Sequence, residues 1–366
     1  MVASLLTVGC GAHGGGRDDV TAVPDHESHL DTAADREPAH DGLADAWGGP
    51  DAADVPSDEA LTDHTDENWE LDTAETATDV PDADWKAGPD TPDVPADPCP
   101  AFGSPVVLGQ VENDALDEVS GLATSRSHPG VLWTHNDSGD TARIFALTEE
   151  GKHLGEYALE GAAAVDWEDL SLGPCPATDG DCLYVGDVGD NGGIRPWVTV
   201  LIVPEPAVDA GQEPVSAVIG GVVAVDLTYP GGPRDAETLF VDPDTGDVFI
   251  VEKVFLGGGS VFRAPSPLIP GGPTQMEIAA EVGLGFATAG DVSPDGTRVL
   301  VRNYSSAEVY LRPEGAPLAD AFFGVACDAP LAQETQGEAV AFTPDGAGYV
   351  TIGEGSHPSV FRVTAP

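Results

Sequence analysis

The sequence predicts an all-β fold, a five-bladed β-propeller of four-stranded blades, on three observations. One motif recurs five times between residues 105 and 366, no helical period interrupts it, and a spare strand stands ahead of the first copy. Each copy opens on an acidic residue leading into a short apolar strand: Glu118-Val-Ser-Gly-Leu-Ala123, Asp166-Trp-Glu-Asp-Leu170, Asp235-Ala-Glu-Thr-Leu-Phe-Val241, Asp291-Val292 and Glu338-Ala-Val-Ala-Phe342. A tight turn follows, such as His128-Pro-Gly130, Asp179-Gly-Asp181, Asp242-Pro-Asp-Thr-Gly246, Ser293-Pro-Asp-Gly296 or Thr343-Pro-Asp-Gly346, built from residues that favour β-turns. Second strands come next, as in Val248-Phe-Ile-Val251, and third strands such as Ser260-Val-Phe-Arg-Ala264 complete the regular part.

Fourth strands are readable near 152–159, 217–227 and 275–282, and weakly near 324–330. The fifth copy ends without one, so Pro105–Glu112 is expected to complete the last blade and close the ring. A β-sandwich would not predict five acidic strand starts. Six blades remain an alternative if the long interval between Glu168 and Glu237 hides another unit.

Four cysteines lie in or beside the repeat. Cys175 and Cys182 flank a six-residue polar turn, as a disulfide across a hairpin requires, which leaves Cys99 to pair with Cys327 where blades five and four adjoin. Disulfides point to an oxidising compartment, and the absence of a C-x-x-C pair or His cluster argues against zinc.

With 64 acidic against 14 basic residues the formal charge is −50, which repels nucleic acid and anionic membranes. The first 104 residues account for −22 of this and the remainder for −28. Residues 11–100 repeat Asp, Pro, Ala and Thr, as in Thr91-Pro-Asp-Val-Pro-Ala-Asp97, a composition that cannot bury enough apolar surface to offset chain entropy. They read as a disordered tether reaching on the order of 50 Å or more. Ahead of it, in residues 1–10, Leu5-Leu-Thr-Val-Gly-Cys10 resembles the end of a lipoprotein signal peptide, with Cys10 as the acylated residue. Residues 101–366 are then the folded domain, anchored outside the cytoplasm, monomeric, and in contact with the membrane only through lipid.

In a propeller the starts of first strands and the ends of second strands meet around one mouth of the central axis. The starts offer Glu118, Asp166, Glu168, Asp235, Glu237, Asp291 and Glu338 as a metal-ligand set. The ends and adjoining loops offer Asn136, Asp137, Asp187, Asp190, Asn191, Arg234, Lys253 and Glu354 for a ligand, with His135, His357 and Arg302 as candidate catalytic groups. So many carboxylates cannot all stay ionised without compensation. Protonation, pairing with Arg234, Lys253 or Arg302, or a hard cation would each supply it, and calcium suits oxygen donors from several loops. No EF-hand spacing, G-x-S-x-G elbow or phosphate-binding loop is present.

The segments Glu118-Val-Ser-Gly-Leu-Ala, Trp133-Thr-His-Asn-Asp-Ser-Gly139, Asp166-Trp-Glu-Asp, Gly186-Asp-Val-Gly-Asp-Asn191 and Asp235-Ala-Glu together resemble a group of secreted bacterial propeller proteins. More loosely, the strand-start acids are similar to those of phytase-like and lactonase-like calcium propellers. The resemblance implies an exported propeller with an axial calcium, but neither a substrate nor a catalytic residue. Three functions follow as expectations: a surface-anchored module binding a small molecule or extracellular ligand at its acidic face, a calcium-dependent hydrolase of phosphoesters or lactones using the same face, or a purely structural propeller.

Overall fold

A computed structural model describes residues 98–365, so the tether up to residue 97 and the candidate acylation site Cys10 lie outside the described residues. Five sheets account for the strands among them. Blade one runs from the axis outward as Val119–Thr124, Val131–Asn136, Arg143–Thr148 and His153–Leu159, and blade two as Trp167–Pro174, Asp181–Asp187, Val198–Pro204 and Val223–Thr228. Blade three is Ala236–Val241, Val248–Glu252, Gly259–Ala264 and Glu277–Val282; blade four is Ala289–Val292, Arg298–Arg302, Ala307–Leu311 and Ala326–Ala329. Blade five takes Gly337–Phe342, Gly348–Gly353 and Ser359–Thr364 from the C-terminus, and Val106–Gln110 pairs antiparallel with the last of these to close the ring.

Closure is visible in the packing as well. Successive side chains on a strand point to opposite faces, so each blade can bury one apolar set against each neighbour. Five apolar clusters result, one for every adjoining pair. Trp133 and Ile144 of blade one meet Leu183 and Val185 of blade two; Tyr184 and Val200 meet Ile250 and Phe262 of blade three. Phe249 and Val261 pack on Val299 and Tyr310 of blade four, whose Leu300 and Val309 face Val340 and Tyr349 of blade five. Blade five returns to blade one through Val350 and Ile352 against Leu122 and Phe145. These inner and middle strands therefore read as almost unbroken apolar runs.

The long interval between Glu168 and Glu237 holds no sixth blade. Its apolar run, expected as one strand over 217–227, is two. Val215–Ile219 adds a fifth, parallel strand outside His153–Leu159 of blade one, and Val223–Thr228 is the outer strand of blade two. Gly221, at φ 76°, makes the break between them. Both expected disulfides are formed, Cys175–Cys182 across the turn of blade two and Cys99–Cys327, which ties the segment ahead of the closing strand to the outer strand of blade four. No helix among the described residues is long and apolar enough to cross a membrane.

Candidate functional site

Four of the five inner strands carry a β-bulge near their start, between Ser120 and Leu122, Trp167 and Asp169, Ala236 and Thr238, and Gly337 and Ala339. A bulge inserts one residue and re-aims its side chain. In blades two, three and five the inserted residue is Glu168, Glu237 and Glu338; all three are buried, which raises their pKa values, and Glu237 adds to the rise at both Glu168 and Glu338. Blade one carries Ser120 beside its bulge, and the Ser120 hydroxyl donates to the Glu168 backbone carbonyl.

Above these glutamates stands Asp137, just past the second strand of blade one. Its carboxyl lies within 4.8 Å of those of Asp166 and Glu168 on one side, and within 4.8 Å of those of Glu338 and Glu354 on the other. Burial, reinforced by Asp166, Glu354 and Glu118, pushes its pKa up to about 6. Glu168 is only 4 % exposed, and among the described residues no hydrogen bond or ion pair holds its carboxylate. Burial first, and then Asp137, Glu237 and Asp166, drive its pKa far above the carboxylate range. Gly189 makes room for this pair, because a Cβ there would lie 2.1 Å from Glu168 Oε1 and 2.5 Å from Asp166 Oδ2.

Glu237 is partnered on one oxygen only. Lys253 Nζ forms an ion pair with Oε1 and also donates to the Tyr304 hydroxyl at 3.0 Å, while Oε2 is buried without a partner. The Lys253 ammonium lies 5.4 Å from the Tyr304 ring centre, Phe286 packs 6.5 Å from Tyr304, and Phe255 stands edge-on to Phe286 at 5.1 Å. Phe286 sits at φ 55°, a left-handed conformation that costs a bulky residue about 1–2 kcal/mol. One side of the mouth is thus carboxylate and the other aromatic.

Several expected site residues are committed elsewhere. Asp291 is a correction: blade four has no bulge, so Asp291 falls two residues deeper than the glutamates, where it accepts the Phe342 N–H at 2.8 Å and lines a small cavity with Arg126 and Pro294 near the opposite turns. His135 is fully buried; Nδ1 donates to the Asn136 carbonyl at 2.8 Å, the ring meets Trp167 edge-on, and burial lowers its pKa to about 4. Arg302 is likewise buried and paired with Glu334 at 2.7 Å. His357 reaches outward to the Val111 carbonyl and Asp114.

The remaining candidates shape loops. Asn136 binds the Ala115 carbonyl and Asp140; Asp187 accepts the N–H groups of Val165 and Asp166 and pairs with Arg195; Asp190 accepts those of Ile194 and Arg195. Asp235 accepts the Asp190 N–H, Arg234 pairs with Glu252, and Asn191 and Glu118 are exposed at the rim. Sequence reasoning missed Tyr304, Phe286 and Glu334, which follow no repeat. It also missed Asp169, directly beside Glu168, whose carboxylate accepts backbone N–H groups from the inner strands of blades two, three and four.

Among solved structures the chain is similar to the β-propeller domain of Cps50 (Swd1) from Myceliophteria thermophila, 13% identical over 68% of this chain and 73% of that one, with a TM-score of 0.35. It is also similar to the WD40 repeats of RRP9, 12% identical over 73% and 99% of the two chains, with a TM-score of 0.40. No family model and no curated protein matches the sequence.

Proposed function

We propose that this chain is an exported binding module whose axial mouth takes a hard divalent cation, calcium by its donor chemistry. In this reading Cys10 carries the lipid, residues 11–100 are the tether and residues 101–366 present the mouth away from the membrane. The observation that carries it is Glu168: a carboxylate buried without a partner, grouped with Asp137 and Asp166. A carboxylate used only to hold the fold would be expected to accept hydrogen bonds, as Asp169 does. The donor set is all oxygen, and it comes from the start of blade two and the loop after the second strand of blade one. That favours calcium, with its irregular coordination by 6–8 oxygens, over metals that seek nitrogen or sulfur. Three protein ligands would leave positions for oxygens of a bound molecule. The two disulfides support an oxidising location.

Binding is favoured over hydrolysis because the candidate catalytic groups His135, His357 and Arg302 each make contacts within the fold. His135 is fully buried with Nδ1 on the Asn136 carbonyl, and Arg302 is locked to Glu334. The test is calorimetry and thermal unfolding with calcium on the full chain. Wild type should bind with a Kd of about 0.1–1 mM, as extracellular calcium modules do. At 10 mM calcium this adds roughly 1.5–3 kcal/mol of stability. Glu168→Gln should abolish the effect. No heat and no thermal shift in wild type would sink the reading, and turnover of phosphoester or lactone substrates lost in Glu168→Gln would replace it with the hydrolase.

A further inference from the structure

The loops framing the mouth expose large apolar side chains: Ile194 at 81 % and Trp197 at 48 % on blade two, Phe255 at 75 % and Leu256 at 83 % on blade three. Phe255 leads inward through Phe286 and Tyr304 to Lys253 and Glu237, so ring contacts join this part of the rim to the carboxylate cluster. The cations beside the mouth are each taken, Lys253 by Glu237, Arg195 by Asp187, Arg234 by Glu252 and Arg302 by Glu334. What this face presents is an excess of buried carboxylate bordered by exposed aromatic and aliphatic surface.

We propose that this face docks a basic segment of a partner polypeptide, with a Lys or Arg side chain entering beside Asp137 and Glu168 while apolar neighbours lie on Phe255, Leu256 and Trp197. Charge complementarity selects this occupant. A net −28 over residues 105–366 repels nucleic acid, acidic peptides and anionic lipid, whereas an ammonium or guanidinium would find the buried Glu168 carboxyl group without a hydrogen-bond or ion-pair partner. A bare metal ion accounts for the carboxylates but not for the rim. Long basic side chains suit both halves, since their methylenes pack on rings while the charged end reaches the acids. Exposed aromatic residues around a charge-pairing centre are also where binding energy concentrates in interfaces.

The inference deepens the reading of the mouth as a cation site and rests on it. Metal and basic side chain need the same oxygens, so each must weaken the other by the same factor. The test is fluorescence anisotropy on the full chain in EDTA, with a labelled peptide of alternating Lys and Leu, and Lys/Ser and Glu/Leu peptides as controls. The Lys/Leu peptide should bind, the Lys/Ser peptide should bind roughly tenfold more weakly or worse, and the Glu/Leu peptide should not bind. Phe255→Ser with Leu256→Ser should cost a similar factor, Glu168→Gln should also weaken binding, and added calcium should displace the peptide.

The proposal is overturned if the Lys/Leu peptide fails to bind. It is equally overturned if the peptide binds the Phe255→Ser, Leu256→Ser protein as well as wild type, because attraction to the acidic tether alone would do that. Calorimetry of wild type separates the two readings. Calcium heat without peptide binding removes only this inference, and peptide binding with the expected variant losses but no calcium heat removes only the metal.

Discussion

Arg302 donates through Nη2 to Glu334 at 2.7 Å, and both side chains are removed from water. The pair joins blade four to the loop ahead of blade five. Arg302 Nη1 also donates to the Ala339 carbonyl, and the second Glu334 oxygen accepts the Thr351 hydroxyl at 2.6 Å. Gly337 is required beside it, because a Cβ there would lie 1.7 Å from Nη2. Truncating one partner leaves the other charge buried alone, which costs about 3–5 kcal/mol. Arg302→Met should therefore lower the melting temperature by about 10 °C. Arg302→Met combined with Glu334→Leu should recover part of that loss. Thermal unfolding of both singles and the double checks this, and additive losses would contradict it.

Asp169 makes a second junction, on the axis itself. Oδ2 accepts the N–H of Leu239 at 2.9 Å and of Gly290 at 3.1 Å, and Oδ1 accepts that of Leu170 at 2.8 Å, so one carboxylate gathers the inner strands of blades two, three and four. Asp169→Ala strands these buried donors and should cost on the order of 4 kcal/mol. Asp169→Asn keeps an acceptor oxygen and should lose less than half as much. Denaturant unfolding of the two variants reads the difference, and equal losses would mean that the carboxylate is not the link.

The blades were legible because turn residues and apolar runs repeat, and each run is long enough to fix its own strand. The bulges were not. A bulge adds one residue without disturbing the pattern on either side of it, so Glu168, Glu237 and Glu338 stood out while Asp291, in the one blade without a bulge, was set at the same level. Likewise the apolar residues on both sides of Gly220-Gly221 read as one strand, since only the positive φ at Gly221 separates them. Arg302 was assigned to the mouth from its position at a strand end. Its side chain instead turns back toward Glu334, which lies in a polar loop with no periodic signal. The aromatic side of the mouth comes from loop residues outside the repeat, and no pattern pointed to Phe255, Phe286 and Tyr304.

The displaced Asp291 has a pH signature of its own. Burial, opposed by the N–H groups of Phe342 and Val292 and by Arg126, raises its pKa to about 7. A folded-state value above the unfolded one gives a contribution that is complete below about pH 4 and is lost as pH rises through about 7. Wild type should therefore lose stability between pH 5 and pH 8. Asp291→Asn retains an oxygen for the Phe342 N–H and carries no charge, so its melting temperature should fall less over that window. Melting curves at the two pH values decide it, and parallel losses in the two proteins would assign the pH dependence to other groups.

The two disulfides should differ sharply in what they contribute. Cys175–Cys182 closes a sequence separation of 7 residues, Cys99–Cys327 one of 228. In the chain-entropy account a cross-link stabilises by restricting the unfolded chain, more so for longer loops, which gives about 2 kcal/mol for the first and about 5 kcal/mol for the second. The longer link also anchors the segment leading to Val106–Gln110, the strand that closes the ring against Ser359–Thr364. Replacing Cys99 and Cys327 together by Ser should thus lower the melting temperature several degrees more than replacing Cys175 and Cys182, and should raise hydrogen exchange first in Val106–Gln110. Equal shifts in the two double variants would mean that ring closure rests on the strand pairing and the blade five to blade one packing alone.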